Sequence, residues 1–465
     1  MGRPGPGVIP MTDRLEDFRA FLAADPAPAQ EAVARSVYQG LTGEEARVEE
    51  EILKEKIELV RQVRGLQSAL NVLSRLEVAL DFRKPSLGLY DNALHFIGGA
   101  QKYGCTLAHA LQDEFEITLI ANSEVTREQL ESWYGLDLSR CGIKVVRIPY
   151  FEDREKQRGV FDAGLADLRK ENPFHAISLE SGKYDVFVNN CMLEMVYPLA
   201  PTSEMVVHFP EREISRFFHA GRYTHIIHNS LYTATWISKR WRLEPHVHIY
   251  PPVDMVSPLQ ESLEKKQNII LSVARFEPGG NKQQLEMIKS FLDLRRLFPG
   301  ETEGWSLVLV GGSTPVNPYL ERLRNWLADV RASNIELRVN TPVEELKEVY
   351  RTARIFWHFS GLGQRDPARI EHFGMTTVEA MQNGCVPVVF RGGGQTEIVE
   401  EGVSGFLFDS LQELQEKTRV LMRDPQMSLK LAGGAHARAL AFTKEVFVDR
   451  VRKHFSDILS EYRFR

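Results

Sequence analysis

From about residue 85 onward, short apolar stretches alternate with longer segments of mixed polarity. Strands this apolar, separated by helices, predict parallel sheets that are covered on both faces. Six such strands are predicted in the first part of this region: SLGLYD, FEITLIANS, GIKVVRIPY, YDVFVNN, EMVVHFP and THIIHNS. Five more follow in the second part: NIILSVARF, WSLVLVGG, NIELRVN, ARIFWHFS and CVPVVF.

A proline-rich, charged stretch separates the two series. HVHIYPPVDMVSPLQESLEKKQ contains three prolines and a run of charged residues, and we interpret it as a linker. The sequence therefore predicts two doubly wound α/β domains, at residues 85–255 and 256–442, followed by a helix at 443–465. Ligands of such sheets bind at the carboxyl ends of the strands, so the expected site is a cleft between two facing domains.

Residues 1–84 have a different, helical pattern. Apolar side chains recur there at steps of three and four, which favours helices that bury one face. This stripe either packs on the body of the same chain or forms a hairpin or coiled coil that makes a dimer. The stripe consists of Leu53, Ile57, Val60, Val63, Leu66, Leu70, Leu73, Leu76 and Leu80.

Composition narrows the class of protein. The 465 residues are 43% hydrophobic and 26% charged, with a formal net charge of −6, which fits a globular protein and suggests no nucleic-acid partner. Four scattered cysteines argue against a disulfide framework or a zinc site and favour a reducing cytoplasm. No apolar run approaches the roughly 20 residues of a membrane span, and the start has no signal-peptide core, although contact with a membrane surface stays open.

The segment EHFGMTTVEAMQNGCVPVVFRGGGQTEIVEEG contains the most informative chemistry. In one interpretation Thr376 caps a helix, Glu379 completes a capping box, and the helix ends at Asn383–Gly384. In the other, the turn at Gly374 presents backbone amides and the positive helix end to a diphosphate. Carboxylates are costly beside phosphate unless they bind hydroxyls, so Glu371 and Glu379 together suggest a sugar nucleotide.

Other positions favour the same ligand. Arg275 and Lys282 follow the first strand of the second domain and would neutralise a diphosphate leaving group, unless they are only cations of a solvated loop. His208 ends a strand, where it is either structural or a cleft residue. The chain has no Asp-x-Asp, the simplest holder of a divalent cation on a diphosphate, so no metal or other cofactor is expected.

Glycines recur at the ends of predicted strands. Gly392, Gly393 and Gly394 allow close backbone approach to a ligand, or simply a tight turn. Gly98 and Gly99 stand where a strand enters a helix, which alone is weak evidence.

These motifs together resemble the retaining glycosyltransferases of family 4, which have the two-Rossmann GT-B fold. The most specific part is Glu-x7-Glu in EHFGMTTVE, and EAMQNGCVPVV, GGQTEIV, GVSGFLF and ILSVARFEPGGNK continue it in the family's order. FIGGAQ, HIIHNS and IYPPVD resemble parts of its amino-terminal domain and interdomain joint. The resemblance implies transfer of a hexose from a nucleoside diphosphate sugar to an acceptor hydroxyl, with retention and without a metal.

The resemblance also implies a role for each matching residue. Glu371 would bind donor-sugar hydroxyls, Glu379 the ribose hydroxyls, and His208 would lie beside the sugar. Arg275 and Lys282 would hold the diphosphate, although their spacing is longer than the family pattern. The last helix would cross back to the first domain. The other donor-binding positions are mainly backbone groups: Gly98, Gly99, Gly374, Met375, Thr376, Gly393 and Gly394.

The chain departs from the family in two places. Residues 361–369 insert a polar loop before Glu371, at the cleft mouth or merely on the surface, and residues 1–84 lie outside the resemblance. Two other functions stay open, a sugar-nucleotide epimerase on the same fold and a non-catalytic adaptor that binds nucleotide sugars. A membrane-associated transferase would differ only in its acceptor, which the sequence does not reveal.

Overall fold

The computed structural model describes residues 84–148, 172, 174–191, 194–211 and 217–464. The helical extension and dimerisation element predicted in residues 1–84 lie outside the described residues, apart from Lys84. No helix in the described part of the chain is both long and apolar enough to cross a membrane.

The first domain is built on a sheet of seven parallel strands in the order β3-β2-β1-β4-β5-β6-β7. Its six predicted strands are all found. The chain order reverses between β1 and β4, which places a crevice at their carboxyl ends. The strands are β1 Ser86–Tyr90, β2 Glu116–Ala121, β3 Gly142–Val145, β4 Val186–Asn189, β5 Thr202–Val207, β6 His225–His228 and β7 Val247–His248. The helices are α1 Gly99–Leu111, α2 Arg127–Tyr134, α3 His175–Ser181 and α4 Leu231–Trp241, with a 3-10 turn at Ala220–Arg222.

The second domain has a six-stranded parallel sheet in the order β10-β9-β8-β11-β12-β13. Its five predicted strands are also found, and its switch point lies between β8 and β11. The strands are β8 Gln267–Val273, β9 Ser306–Gly311, β10 Ile335–Val339, β11 Ala353–His358, β12 Val386–Phe390 and β13 Phe406–Phe408. The helices are α5 Leu259–Glu264, α6 Gln284–Leu297, α7 Pro318–Asp329, α8 Val343–Thr352, α9 Met375–Gln382, α10 Gln395–Ile398, α11 Leu411–Arg423, α12 Pro425–Ala439 and α13 Lys444–Phe464, with 3-10 turns at Pro367–Arg369 and Leu440–Phe442.

The interpretation of HVHIYPPVDMVSPLQESLEKKQ as a linker is wrong at both of its ends. Its start supplies β7, which pairs with β6 through Val247 and Ile227. Its end forms α5. The strand is only two residues long, so it has no periodicity to detect, and the pairing with β6 creates it. Within this segment, only the stretch between β7 and α5 acts as a connection between the domains.

Helix α13 returns from the second domain and packs against the first. Phe447 contacts Tyr103 with ring centroids 4.8 Å apart, and Phe455 contacts Phe115 at 5.9 Å. The guanidinium of Arg452 donates to a carbonyl near the end of α1, with 3.1 Å between Nε and the oxygen. The apolar face of α13 is therefore part of the first domain's core.

Candidate functional site

The predicted site residues lie at the carboxyl ends of the strands in both sheets. His208 directly follows β5, Arg275 follows β8 by two residues, and Glu371 lies in the loop between β11 and α9. Parallel strands bring such positions to one edge of each sheet, and contacts between the two domains bring the edges together.

Glu371 lies in a group of three charged or titratable side chains. Its Oε2 is 2.9 Å from the Lys282 ammonium and 3.1 Å from Nε2 of His358, the last residue of β11. Burial by itself raises the pKa of Glu371, but Lys282 and His358 outweigh it and hold the pKa well below the usual value. Glu371 likewise raises the pKa of Lys282. The structure thus joins two predicted site residues in one ion pair that is charged on both sides at neutral pH.

Glu379 does not form the predicted capping box. Helix α9 begins at Met375, with Gly374 as its N-cap, so Thr376 is inside the first turn. The carboxylate accepts a hydrogen bond from the Tyr350 hydroxyl instead, with 2.7 Å between the oxygens. Burial raises the pKa of Glu379, while Lys102 of the first domain and Tyr350 oppose the increase. Capping therefore does not explain why this position carries an acid.

Two helix N-termini meet where the domains face each other. Gly99, the first residue of α1, lies so close to Met375, the first residue of α9, that a Cβ on Gly99 would be 2.9 Å from the methionine sulfur. Neither helix has a side-chain cap among the described residues, and neither has an acid in its first turn. Both positive helix ends therefore remain available to an anion in the cleft.

The turn that begins α9 depends on glycine at 374. This residue has φ +117°, and a Cβ there would lie 2.5 Å from Nε2 of Gln395. Gln395 is buried, and neither side-chain polar atom has a hydrogen-bond partner in the described part of the protein. A buried amide side chain thus lies directly behind the first turn of α9.

The three-glycine turn contacts the Glu371 loop. The amide of Gly394 donates to the carbonyl of Glu371 at 2.9 Å. A Cβ on Gly393 would approach this carbonyl oxygen to 1.9 Å, and one on Gly394 would lie 2.4 Å from Cα of Phe373. These glycines therefore fix the position of Glu371, and their direct contact with a donor stays a prediction.

We expect Gly394→Ala to lower the free energy of unfolding by about 1–3 kcal/mol, because its Cβ would overlap backbone atoms that have no free space to move into. Gly433→Ala is the matched control, since a Cβ at that position in α12 meets nothing within 4 Å. This control should be neutral or slightly stabilising. Urea unfolding of both variants measures the difference, and equal stabilities would contradict the close packing of the turn.

His208 is held on the first-domain side of the cleft. Its Nε2 donates to the carbonyl of Asn190 at 3.1 Å, and its ring packs edge-on against Tyr103. Burial lowers its pKa to about 4, against a smaller opposing effect of Asp91. His208 is therefore neutral at physiological pH, and its Nδ1 is left as an acceptor.

Arg275 is more exposed than the other predicted cations. Its side chain is 72% exposed and lies 3.2 Å from the carboxylate of Glu277. It is near enough to Lys282 to lower the pKa of that lysine. The exposed Arg275 side chain is therefore able to turn toward an anion, whereas the Lys282 ammonium is fixed by its ion pair with Glu371.

Several contacts join the domains on one side of the cleft. The Glu397 carboxylate accepts hydrogen bonds from the first two amides of α4, those of Leu231 and Tyr232, both at 2.8 Å. The rings of Phe209 and His372 stack at 4.1 Å with an interplanar angle of 6°. An acid of the second domain thus caps a helix of the first.

The insertion at 361–369 takes part in this contact. Its Asp366 lies 3.5 Å from the Arg240 guanidinium, and the Tyr232 hydroxyl donates to the carbonyl of Pro367 at 3.1 Å. Of the two interpretations of the insertion, a loop at the cleft mouth fits these contacts with the first domain better than an insertion that lies merely on the surface.

Four side chains of the site were not identified from the sequence. His358 and Asp91 each lie at the end of a buried strand, and a polar residue in that position is the signal that would have found them. Asp91 organises its loop through hydrogen bonds with Asn190 and Gln101. Lys102 and Glu397 do not lie at strand ends. They interact with Glu379 and with the start of α4 only because the two domains approach each other.

The second domain matches a known family of proteins. Residues 258–438 match the model for Glycosyl transferases group 1. An α-1,2-mannosyltransferase of Dictyostelium discoideum named for GDP-Man and Man(3)GlcNAc(2)-PP-Dol is 25% identical over 224 residues, covering 46% of this chain and 42% of that protein. D-inositol 3-phosphate glycosyltransferase of Acidothermus cellulolyticus is 29% identical over 201 residues, 42% of each chain. This chain thus spans less than half the length of these curated relatives.

Solved structures match over both domains. The crystal structure of Anabaena HepE in complex with UDP has a TM-score of 0.60 at 17% identity, covering 80% of this chain and all of that one (100%). At this identity the likeness concerns the fold alone. Together with the two parallel sheets it confirms the predicted GT-B fold.

Proposed function

We propose that this protein is a retaining glycosyltransferase that transfers a hexose from a nucleoside diphosphate sugar to an acceptor hydroxyl without a metal. The observation that carries the proposal is the meeting of two uncapped helix N-termini, at Gly99 and Met375, beside the paired Lys282 and Glu371. Helix ends and an ammonium favour a diphosphate, and a charged acid beside them favours sugar hydroxyls.

The leaving diphosphate is the group that this arrangement would stabilise. Its negative charge grows as the bond between the anomeric carbon and the phosphate oxygen breaks. The amides of Gly374, Met375, Thr376 and Gly99 and the cations Lys282 and Arg275 would offset this charge. The Gly98 amide already donates to the Tyr134 hydroxyl at 3.2 Å, so Gly98 would only allow close approach of the diphosphate. Because fixed dipoles need no rearrangement during the reaction, they lower the barrier more than water would.

The acids would position the donor. Glu371 would accept hydrogen bonds from sugar hydroxyls and Glu379 from ribose hydroxyls, with neutral His208 beside the sugar. The acceptor oxygen would attack the anomeric carbon on the face that the diphosphate leaves, and its proton would pass to a leaving phosphate oxygen. None of the acids is assigned as a nucleophile under the ring, unlike in retaining hydrolases.

Domain contacts would protect this step from water. The hydrogen bonds from the start of α4 to Glu397, and the stacking of Phe209 on His372, hold the two domains together beside the site. Excluding water limits hydrolysis of the donor. The cytoplasmic location, the acceptor and any contact with a membrane surface stay predictions.

The names of the relatives favour glycosyl transfer over the two other functions. The Dictyostelium relative is named as a mannosyltransferase and for GDP-Man, and the Anabaena structure contains UDP. An epimerase would convert a labelled donor with no acceptor present. An adaptor would bind a nucleotide sugar and never turn it over.

A thermal-shift screen with UDP, GDP, ADP and dTDP and their sugar conjugates tests the proposed donor site. A ligand at 100 times its Kd stabilises the folded state by about 2.7 kcal/mol, so the matching nucleotide should raise Tm clearly. We expect the same shift with magnesium and with a chelator. The identified donor is then incubated with simple glycoside acceptors, and NMR of the product reports the anomeric configuration.

The outcomes separate the hypotheses. A shift with one base and an α-linked product from an α-linked donor supports the proposal. Conversion of the donor without an acceptor identifies an epimerase, and binding without turnover supports the adaptor. A shift that requires magnesium would overturn the metal-free site.

A further inference from the structure

Three side chains far apart in sequence meet on the face of the first sheet that α13 covers. Glu204 on β5 and His225 on β6 are direct partners in the parallel register, so their side chains leave the sheet on the same face. His454 reaches them from α13. One ligand atom from each of the three residues lies within 4.8 Å of the others.

The charge of Glu204 requires compensation. The residue is fully buried, at 0% exposure, on an otherwise apolar face. Its ion-pair partners in the described part of the chain are the two imidazoles, with Nδ1 of His225 2.8 Å from Oε1 and Nε2 of His454 2.9 Å from Oε2. A carboxylate buried at this depth needs positive charge beside it as well as hydrogen bonds.

We propose that Glu204, His225 and His454 form a site for a divalent transition-metal ion of the zinc type. Two imidazoles and one carboxylate are a donor set that zinc prefers, with bonds of about 2.0–2.2 Å. The ion would place positive charge directly beside the buried carboxylate. The site lies on the first sheet and α13, apart from the residues of the cleft.

The group is partly accessible to solvent. The side chains of His225 and His454 are 27% and 12% exposed, so the group is reached from solvent on the histidine side and closed on the carboxylate side. The two rings cross edge-on at 5.1 Å, and His246 packs edge-on against His225 at 5.9 Å. Nδ1 of His246 is already used, because it accepts the amide of Ile226 at 3.0 Å.

Such an ion would link residues that are far apart in the sequence. Glu204 and His454 are 250 positions apart, and α13 is the element that ties the end of the second domain to the first. Because the metal would bind only the folded arrangement, it would stabilise the docking of α13.

Calorimetric titration of chelator-treated full-length protein with Zn²⁺ tests the proposal. We expect one ion per chain, a higher Tm with zinc, and affinity at least about tenfold weaker at pH 5.5 than at pH 7.5, since the imidazoles must be neutral to bind the metal. His454→Ala should reduce the affinity at least about tenfold, because it removes one of three protein ligands. His109→Gln on α1, outside the group, is the matched control and should bind zinc as the parent does.

Two results would overturn the site. One is the absence of stoichiometric zinc binding at pH 7.5 in folded protein, with a Tm that does not change when zinc is added. This would identify the group as an ion pair that holds no metal. The other is equal zinc affinity in the parent and in both His454→Ala and His225→Ala, which would locate the metal elsewhere. Donor binding in the presence of a chelator is expected to persist in either case, so this test is independent of the proposed transferase activity.

Discussion

Glu371→Gln is expected to lower kcat/KM for glycosyl transfer by about two to three orders of magnitude, the range found when one preorganised polar contact to a transition state is removed. The carboxylate is held in its charged form by Lys282 and His358, and it would accept hydroxyl hydrogen bonds that an amide accepts less well. The variant also leaves the Lys282 ammonium without its charge partner. Initial rates with the donor identified by thermal shift measure the loss.

Stability provides the comparison for this variant. The Glu371 side chain is 18% exposed, and we expect removal of its charge to cost about 1–3 kcal/mol of folding free energy, which does not unfold a protein of this size. Glu301→Gln is the matched control, because Glu301 pairs with Arg419 at 2.7 Å and is 24% exposed, on a part of the second domain outside the cleft group. It should lose stability with little change in rate. If Glu371→Gln behaves like this control, the acid is only part of a structural ion pair.

The Lys282–Glu371 pair has a second test in a double-mutant cycle. Lys282→Met alone should weaken donor binding and destabilise the fold, since it leaves the partly buried Glu371 carboxylate without its ammonium partner. Combined with Glu371→Gln, it should restore part of the stability but none of the activity. Recovery of activity in the double variant would mean that the two residues form only a structural ion pair and do not contact the donor.

The strands of both sheets were predictable from the local pattern of apolar residues. A strand covered on both faces must be apolar along its length, and all eleven predicted strands are found in the two sheets. The order of the strands within each sheet was not predicted. The strands that were missed, β7 and β13, are two and three residues long. They form because the strand at the edge of a sheet has unpaired backbone groups to which a further short strand can hydrogen-bond. No pattern of side chains predicts such a short strand.

The site was only partly predictable for a different reason. Sequence position places Lys282 and Glu371 near strand ends, but their pairing across 89 residues depends on how the loops cross. The capping box failed because the positive φ of Gly374 and its proximity to Gln395 start α9 at Met375, two residues earlier than a Thr376 N-cap would. Local propensity favoured Thr376, and tertiary packing decided otherwise.

Glu379→Gln should weaken donor binding about tenfold to a hundredfold, because hydrogen bonds to a charged group contribute about 1.5–3 kcal/mol. A glutamine can still accept the Tyr350 hydroxyl that Glu379 accepts at 2.7 Å, so the free energy of unfolding should change little. Calorimetry with the identified nucleoside diphosphate measures the affinity, and chemical unfolding measures the stability.

Tyr350→Phe removes the other partner of the same hydrogen bond and is the matched comparison for Glu379→Gln. It removes the fully buried hydroxyl that donates to Glu379 but leaves the carboxylate in place. We expect a less stable protein whose nucleotide affinity is nearly that of the parent. If instead Tyr350→Phe weakens binding as much as Glu379→Gln does, the hydroxyl positions the carboxylate for ribose. If Glu379→Gln lowers only the stability, the acid does not contact the donor, and the donor-binding part of the proposed site has to be reassigned to the helix ends and Lys282.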